Sequence, residues 1–125
     1  MPQTKSLLVV DDDADILDAL EAIFSEGGYI VHLARDGQEA VDILLDGTRP
    51  HAMILDLMMP RLNGFDVLER LKQMPRLAGL RVIVHSANRG YDADDLGVFE
   101  IVRKPSSIDD LLGSVRRAVA PPPSQ

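Results

Sequence analysis

Five side chains suited to handling a phosphoryl group stand at the ends of four short apolar runs. Asp11 and Asp12 follow Leu7-Leu8-Val9-Val10, Asp56 follows Met53-Ile54-Leu55, Ser86 follows Val82-Ile83-Val84-His85, and Lys104 follows Ile101-Val102-Arg103. Carboxylates gathered in one place repel one another unless a cation lies between them. Oxygen ligands with no His or Cys beside them suit a hard divalent ion such as Mg2+, which commonly takes one or two carboxylates and fills its shell with water and substrate phosphate. A carboxylate is also a competent nucleophile toward phosphorus. A lysine and a hydroxyl complete such a site by binding phosphoryl oxygens, the first as a point charge and the second as a donor.

Taken singly, each residue has a plainer role. Asp11 and Asp12 could cap a following helix, Asp56 could open a loop, Ser86 could sit in a turn, and Lys104 could be a solvated charge. Their joint occurrence changes the weighting, because keeping the plain reading requires four independent coincidences. The apolar runs have the form of buried parallel strands, and in open α/β sheets the ligand crevice lies beyond the carboxyl ends of such strands. One rim can therefore collect all five groups.

The intervening segments supply the helices that such a sheet needs. From Asp13 to about Glu26, Ile16, Leu17, Leu20, Ile23 and Phe24 share one helical face, and Gly27-Gly28 stops the run. Tyr29 to Ala34 reads as a strand, Gly37 to Leu45 as a helix and Ala52 to Leu55 as a strand. A third helix follows Asn63-Gly64, turning Phe65, Leu68, Leu71 and Met74 inward before Pro75. Val82 to His85 and Glu100 to Arg103 make five strands, and Ile108, Leu111, Leu112, Val115 and Val119 mark the last helix. Alternation of this kind predicts an α/β fold with a doubly wound parallel sheet and helices on both faces.

With 125 residues the chain fits one domain, expected over 1–119, and Ala120 to Gln125 reads as a Pro-rich tail or the start of a linker. The absence of Cys removes disulfides and thiolate chemistry. A net charge of −7 argues against direct nucleic-acid or anionic-membrane binding, since both rely on clustered Lys and Arg. With no apolar stretch near the ~20 residues that cross a bilayer, and an N-terminal run too short for a signal peptide, the expected location is the cytoplasm. His32, His51 and His85 lie in or beside strands with no ligand spacing and read as structural.

The motifs Val9-Val10-Asp11-Asp12, Asp56-Leu57-Met58-Met59-Pro60 with Asn63-Gly64, Ser86-Ala87 and Lys104-Pro105 resemble the receiver (CheY-like) domain of two-component response regulators. The resemblance runs from about Lys5 to Val119. It implies a five-stranded sheet in the order 2-1-3-4-5, with Asp56 as phosphoacceptor. Asp11, Asp12, Asp56 and the Met58 carbonyl are the implied Mg2+ ligands, Ser86 the switch hydroxyl, Lys104 the phosphate-binding lysine, and Lys104-Pro105 a cis bond. The implied activity is transfer of a phosphoryl group from a sensor histidine kinase or phosphotransfer protein. The domain would catalyse this step and a slow reset itself rather than act as an enzyme on other molecules, and its output would go to an effector protein or a second copy.

Two departures stand out. Ile101 occupies the position where receivers usually carry Tyr or Phe, and Phe99 is the nearest aromatic that strand alternation would place on the same side. The interval from Ser86 to Lys104 is short by about one helical turn, so the fourth helix is expected to be shortened or irregular, with weak order over 88–97. Two other readings compete. A pseudo-receiver would bind a partner without phosphorylation. A small phosphatase resembling the haloacid dehalogenase family would use the Asp-x-Asp of Asp11 and Asp13, although Asp15 fits that pattern poorly and the length leaves no room for a cap domain.

Overall fold

A computed structural model describes residues 4–59, 61–87 and 90–120. The elements run β1 (Ser6–Val10), α1 (Ala14–Glu26), β2 (Ile30–Ala34), α2 (Gly37–Leu45), β3 (Ala52–Leu55), α3 (Gly64–Leu71), β4 (Arg81–Ser86), α4 (Ala93–Leu96), β5 (Glu100–Arg103) and α5 (Ile108–Val119). The five strands form one sheet in the order β2-β1-β3-β4-β5, and every pairing is parallel. The predicted topology holds, with five strands in the expected order.

The two-residue period of the strands divides the core. Leu7, Val9, Ile54 and Ile83 point to one face, where Leu17, Leu20 and Phe24 of α1 and Leu111, Val115 and Ala118 of α5 cover them. Leu8, Val10, Met53, Leu55, Val82 and Val84 point to the other, against Ala40, Val41 and Leu44 of α2 and Val67 of α3. The central strands are thus buried on both sides, which is why they read as continuous apolar runs. Each large aliphatic or aromatic chain so buried contributes about 1.5–3 kcal/mol relative to exposure.

Several boundaries differ from the sequence expectation. Asp13 is not in α1 but caps it, its carboxylate accepting from the N–H groups of Asp15 and Ile16. β2 begins at Ile30, while Tyr29 sets its ring edge-on against Phe24 at 5.7 Å. α3 ends at Leu71 rather than running to Pro75, and Pro75–Leu77 form a 3-10 turn that buries Leu77. Met74 still packs inward, from the connection rather than from the helix. Ser86 is the last residue of β4 rather than the first of a loop.

α4 is a single turn, as the short interval predicts, and 90–97 carry several defined local contacts. Asp92 and Asp95 form a reciprocal capping box at its start. At its end Gly97 takes the left-handed conformation (φ 67°), so that its own N–H reaches the Asp94 carbonyl and the Val98 N–H reaches Ala93. The preceding stretch is held at Tyr91, whose carbonyl accepts from Arg103 Nη2 at 2.8 Å and whose ring meets Phe65 of α3 at 5.3 Å. The acidic composition concealed an Asp-x-x-Asp cap. Asn88 and Arg89, at the start of the segment expected to be weakly ordered, lie outside the described residues.

Two glycines mark close backbone approaches. A Cβ on Gly64 would fall 2.4 Å from the Asp56 carbonyl oxygen, and one on Gly37 would fall 2.0 Å from that of Leu62. Both contacts press on the loop between β3 and α3. Gly64→Ala is therefore expected to lower the unfolding free energy by about 2–3 kcal/mol in urea, whereas Gly79→Ala, where a Cβ meets nothing within 4 Å, stays within about 0.5 kcal/mol. Equal effects at the two positions would contradict this packing.

His85, the last inward residue on the α1/α5 side of β4, is 7% exposed. Burial, then the charge of Lys104, pull its imidazole from the ordinary 6.5 down to about 4 against the opposing effect of Asp56. Above 6.5 the ring is neutral in both the folded and unfolded chain; as the pH falls toward 4, only the unfolded chain takes up the proton. That difference removes about 3 kcal/mol of stability across the interval, and none further below it. His85→Gln is expected to lose this dependence, so the stability gap between native protein and variant shrinks by about 3 kcal/mol between neutral pH and the lower limit. A gap constant with pH would contradict the neutral buried ring.

Candidate functional site

Three backbone hydrogen bonds carry the sheet ladder one step past the strands and so fix the rim. Asp11 N–H donates to the Ala34 carbonyl (3.1 Å), Asp56 N–H to Val10 (3.0 Å) and Lys104 N–H to Ser86 (3.1 Å). Asp11, Asp56 and Lys104 thereby leave their strands at the same carboxyl edge. The Lys104–Pro105 bond is cis, as the resemblance implies.

Lys104 reaches across this edge to both buried carboxylates. Its Nζ lies 2.8 Å from Asp11 Oδ2 and 3.3 Å from Asp56 Oδ2. The remaining oxygens are held by backbone: Asp11 Oδ1 accepts from Asp13 N–H at 2.9 Å, and Asp56 Oδ1 from Met58 N–H at 3.2 Å. Each carboxylate is thus oriented by one cation and one peptide dipole. Asp12 is exposed, yet one of its oxygens lies within 4.8 Å of oxygens from Asp11 and Asp56.

Burial raises the Asp11 pKa above the ordinary 3.8, because the hydrogen bonds from Lys104 and Asp13 only partly offset it and Asp56 adds repulsion. For Lys104 burial acts downward, but the hydrogen bond and charge of Asp11, with the charge of Asp56, outweigh it and hold the ammonium above 10.5. Among the described residues Lys104 is the cation paired with these two buried carboxylates, and Asp12 stands at the rim beside them. Three oxygen donors within 4.8 Å with no soft ligand among them fit a hard divalent ion, and a divalent charge supplies what Lys104 alone does not.

Ser86 is buried at the end of β4, beside the Lys104 backbone. Met58 is 60% exposed next to Asp56. Pro60 lies outside the described residues. Asp13 is spent on capping α1, which removes the second aspartate that the phosphatase reading needs. Ile101 packs into the α2/α3 side of the core, and Phe99 does not replace an aromatic there. Its N–H bonds Val82 at the far end of the sheet, and its ring faces the Arg81 guanidinium at 5.3 Å.

Sequence reasoning missed the clamp on the Asp56 loop. Arg61, at φ 64°, pairs with Asp36 at 2.7 Å, and Gly37 N–H donates to the Leu62 carbonyl at 2.9 Å. Asp36 also caps α2 through Glu39 N–H, and the hydrogen bond from Arg61 lowers its pKa. Asp36-Gly37 signals a helix start, but nothing local signals that the β3–α3 loop docks on it. Two histidines make hydrogen-bond contacts within the fold: His51 Nδ1 accepts from Ser6 N–H at 3.0 Å, and His85 meets Ser106 at 3.0 Å.

The sequence profile described as the response regulator receiver domain matches residues 7–116. Response regulator MprA of Mycolicibacterium vanbaalenii is 37% identical over 112 residues, covering 88% of this chain and 48% of that protein. Among solved structures, the receiver domain of the Francisella response regulator 1452 superposes with TM-score 0.82 at 28% identity, covering 93% of this chain and 97% of the other. The receiver domain of a signal transduction histidine kinase from Syntrophus aciditrophicus gives 0.80 at 30% identity, with coverage of 93% and 90%. The chain spans about half the length of the curated relatives it matches, so the expectation of no direct nucleic-acid contact is confined to these residues and does not extend to a longer protein. With its sheet order and acidic rim already fixed by geometry, the profile match over nearly the whole chain establishes that it belongs to the response regulator receiver family of two-component signalling.

Proposed function

We propose that Asp56 is the phosphoacceptor of a two-component phosphorelay and that residues 1–119 form the receiver unit, with 120–125 as tail or linker. The observation that carries this reading is Lys104 Nζ shared between Asp11 and Asp56 at 2.8 and 3.3 Å beside Asp12. Asp11, Asp12 and Asp56, with the Met58 carbonyl, would hold Mg2+. When bound, the ion neutralises the clustered anions and binds phosphoryl oxygens, lowering the cost of bringing a negatively charged donor to a carboxylate.

An Asp56 carboxylate oxygen attacks phosphorus of a phosphohistidine on a histidine kinase or phosphotransfer protein. The new O–P bond forms as the N–P bond breaks, and the histidine nitrogen leaves with the electron pair and recovers a proton. Lys104 then exchanges its contact with the Asp56 carboxylate for a phosphoryl oxygen, keeping its bond to Asp11. Ser86, on the neighbouring strand end, donates its hydroxyl to another phosphoryl oxygen. Water attack on phosphorus later restores the carboxylate. The domain speeds both steps on itself and releases no product of its own beyond phosphate.

The switch is a shift at the end of β4 that reaches the segment pinned at Tyr91 and α4, changing the surface presented to an effector or a second copy. The reaction belongs in the cytoplasm; no helix among the described residues is long and apolar enough to cross a membrane.

Incubation with Mg2+ and acetyl phosphate is expected to add one phosphoryl group by intact mass, and Asp56→Asn to add none. Lys104→Met is expected to slow the addition about a hundredfold, the scale of losing one charged group aimed at a developing oxyanion. An adduct that survives Asp56→Asn, or an unchanged rate in Lys104→Met, would contradict the assignment.

A further inference from the structure

A buried polar pair beside the rim is not used by the chemistry above. Ile83 and His85 share the α1/α5 side of β4, whereas Val82, Val84 and, by alternation, Ser86 share the other. His85 therefore stands back to back with Ser86 at the end of the strand. It lies among apolar groups, with Ile16, Ala19, Leu20, Ile23 and Leu111 lining the groove around it. Its Nε2 sits 3.0 Å from Ser106 Oγ, and its Nδ1 is buried without a hydrogen-bond partner among the described residues.

A site needing only apolar filling would not bury an imidazole, which costs free energy unless hydrogen-bonded. The bond it does make lands on a mechanically sensitive place. Ser106 is two residues beyond Lys104, across the cis bond, and immediately before Ser107, whose hydroxyl caps α5 by accepting from Asp110 N–H at 3.0 Å. On the strand side, Lys104 N–H already donates to the Ser86 carbonyl. The turn carrying Lys104 is thus tied to β4 twice, by backbone at Ser86 and by side chain at His85.

From this geometry we infer that His85 is a positioning residue for Lys104, acting through the Ser106 hydroxyl to hold the ammonium between Asp11 and Asp56. The neutral ring described above suits the role, since a charged one would repel Lys104. The same link makes any movement of the β4 end felt at once on the α1/α5 side, because His85 and Ser86 are consecutive residues of one strand. The inference rests on the reading of Asp56 as phosphoacceptor and Lys104 as phosphate-binding residue.

The test compares Ser106→Ala, Ser106→Thr, His85→Ala and the double alanine variant, with the folded chain, Mg2+ and acetyl phosphate. Loss of one neutral hydrogen bond predicts about a fivefold slower phosphorylation in Ser106→Ala with little change in Tm, and recovery in Ser106→Thr. The double variant is expected to be no slower than His85→Ala alone, because the two residues act through one bond. A second readout needs no phosphorylation: the ammonium protons of Lys104, followed by 15N-detected NMR, exchange slowly in the native chain and in Ser106→Thr and faster in Ser106→Ala. Should the native chain take up no phosphoryl group, the proposed function fails while the exchange measurement still decides this inference. Native-like rates and exchange in Ser106→Ala, or a loss that Ser106→Thr shares, would overturn it.

Discussion

The rest of this structure depends on the balance of charge at the carboxyl edge of the sheet. Two aspartates, 2% and 6% exposed, face each other there, and among the described residues Lys104 is the cation bonded to both. Buried carboxylates in such proximity are costly, and the protein spends a lysine and two backbone N–H groups to keep them ordered. The arrangement is better matched to an added divalent ion and a phosphoryl group than to its present contents. One oxygen from each of Asp11, Asp12 and Asp56 lies within 4.8 Å of the others, a spacing that a divalent ion could bridge.

Holding these groups apart from their neighbours and close to one another is a matter of register. Val10 pairs with both Ala34 and Leu55, and Ser86 pairs with Arg103, so the residues that follow leave the sheet level with one another. A slip of one residue in any pairing would send a carboxylate into the core and a leucine or valine into the rim. The apolar alternation that buries Leu7 to Val10 on two faces therefore also determines where Asp11 stands. Around this frame the β3–α3 loop is pressed between α3 at Gly64 and α2 at Gly37, with Arg61 locked to Asp36. Three separate restraints act on the loop that carries Asp56 and so orient its carboxylate.

Legibility in the sequence followed the range of the interaction. Strands β1, β3 and β4 announce themselves as apolar runs, and helix starts at Asp13, Asp36 and Asn63 as cap residues, because those signals lie within a few positions of one another. The rim positions of Asp11, Asp56 and Lys104 were legible for the same reason, each being the polar residue that follows a run. Pairings across long separations were not: Arg61 with Asp36, Tyr91 with Arg103 and Phe65, and His85 with Ser106 depend on the assembled sheet. The α4 segment lies between these cases. Its brevity could be read from spacing, but its Asp92–Asp95 cap was hidden in a run of acids and glycines that resembles a loop.

The central claim is that Asp11, Asp12 and Asp56 form a divalent-cation site whose charge Lys104 alone does not satisfy. Isothermal titration of Mg2+ into the native chain and into Asp11→Asn tests it most directly. One saturable site in the native chain, weakened at least about tenfold by removing a single carboxylate ligand, is the expected result. Native protein that binds no Mg2+, or Asp11→Asn that binds it as well as the native chain, would contradict the account.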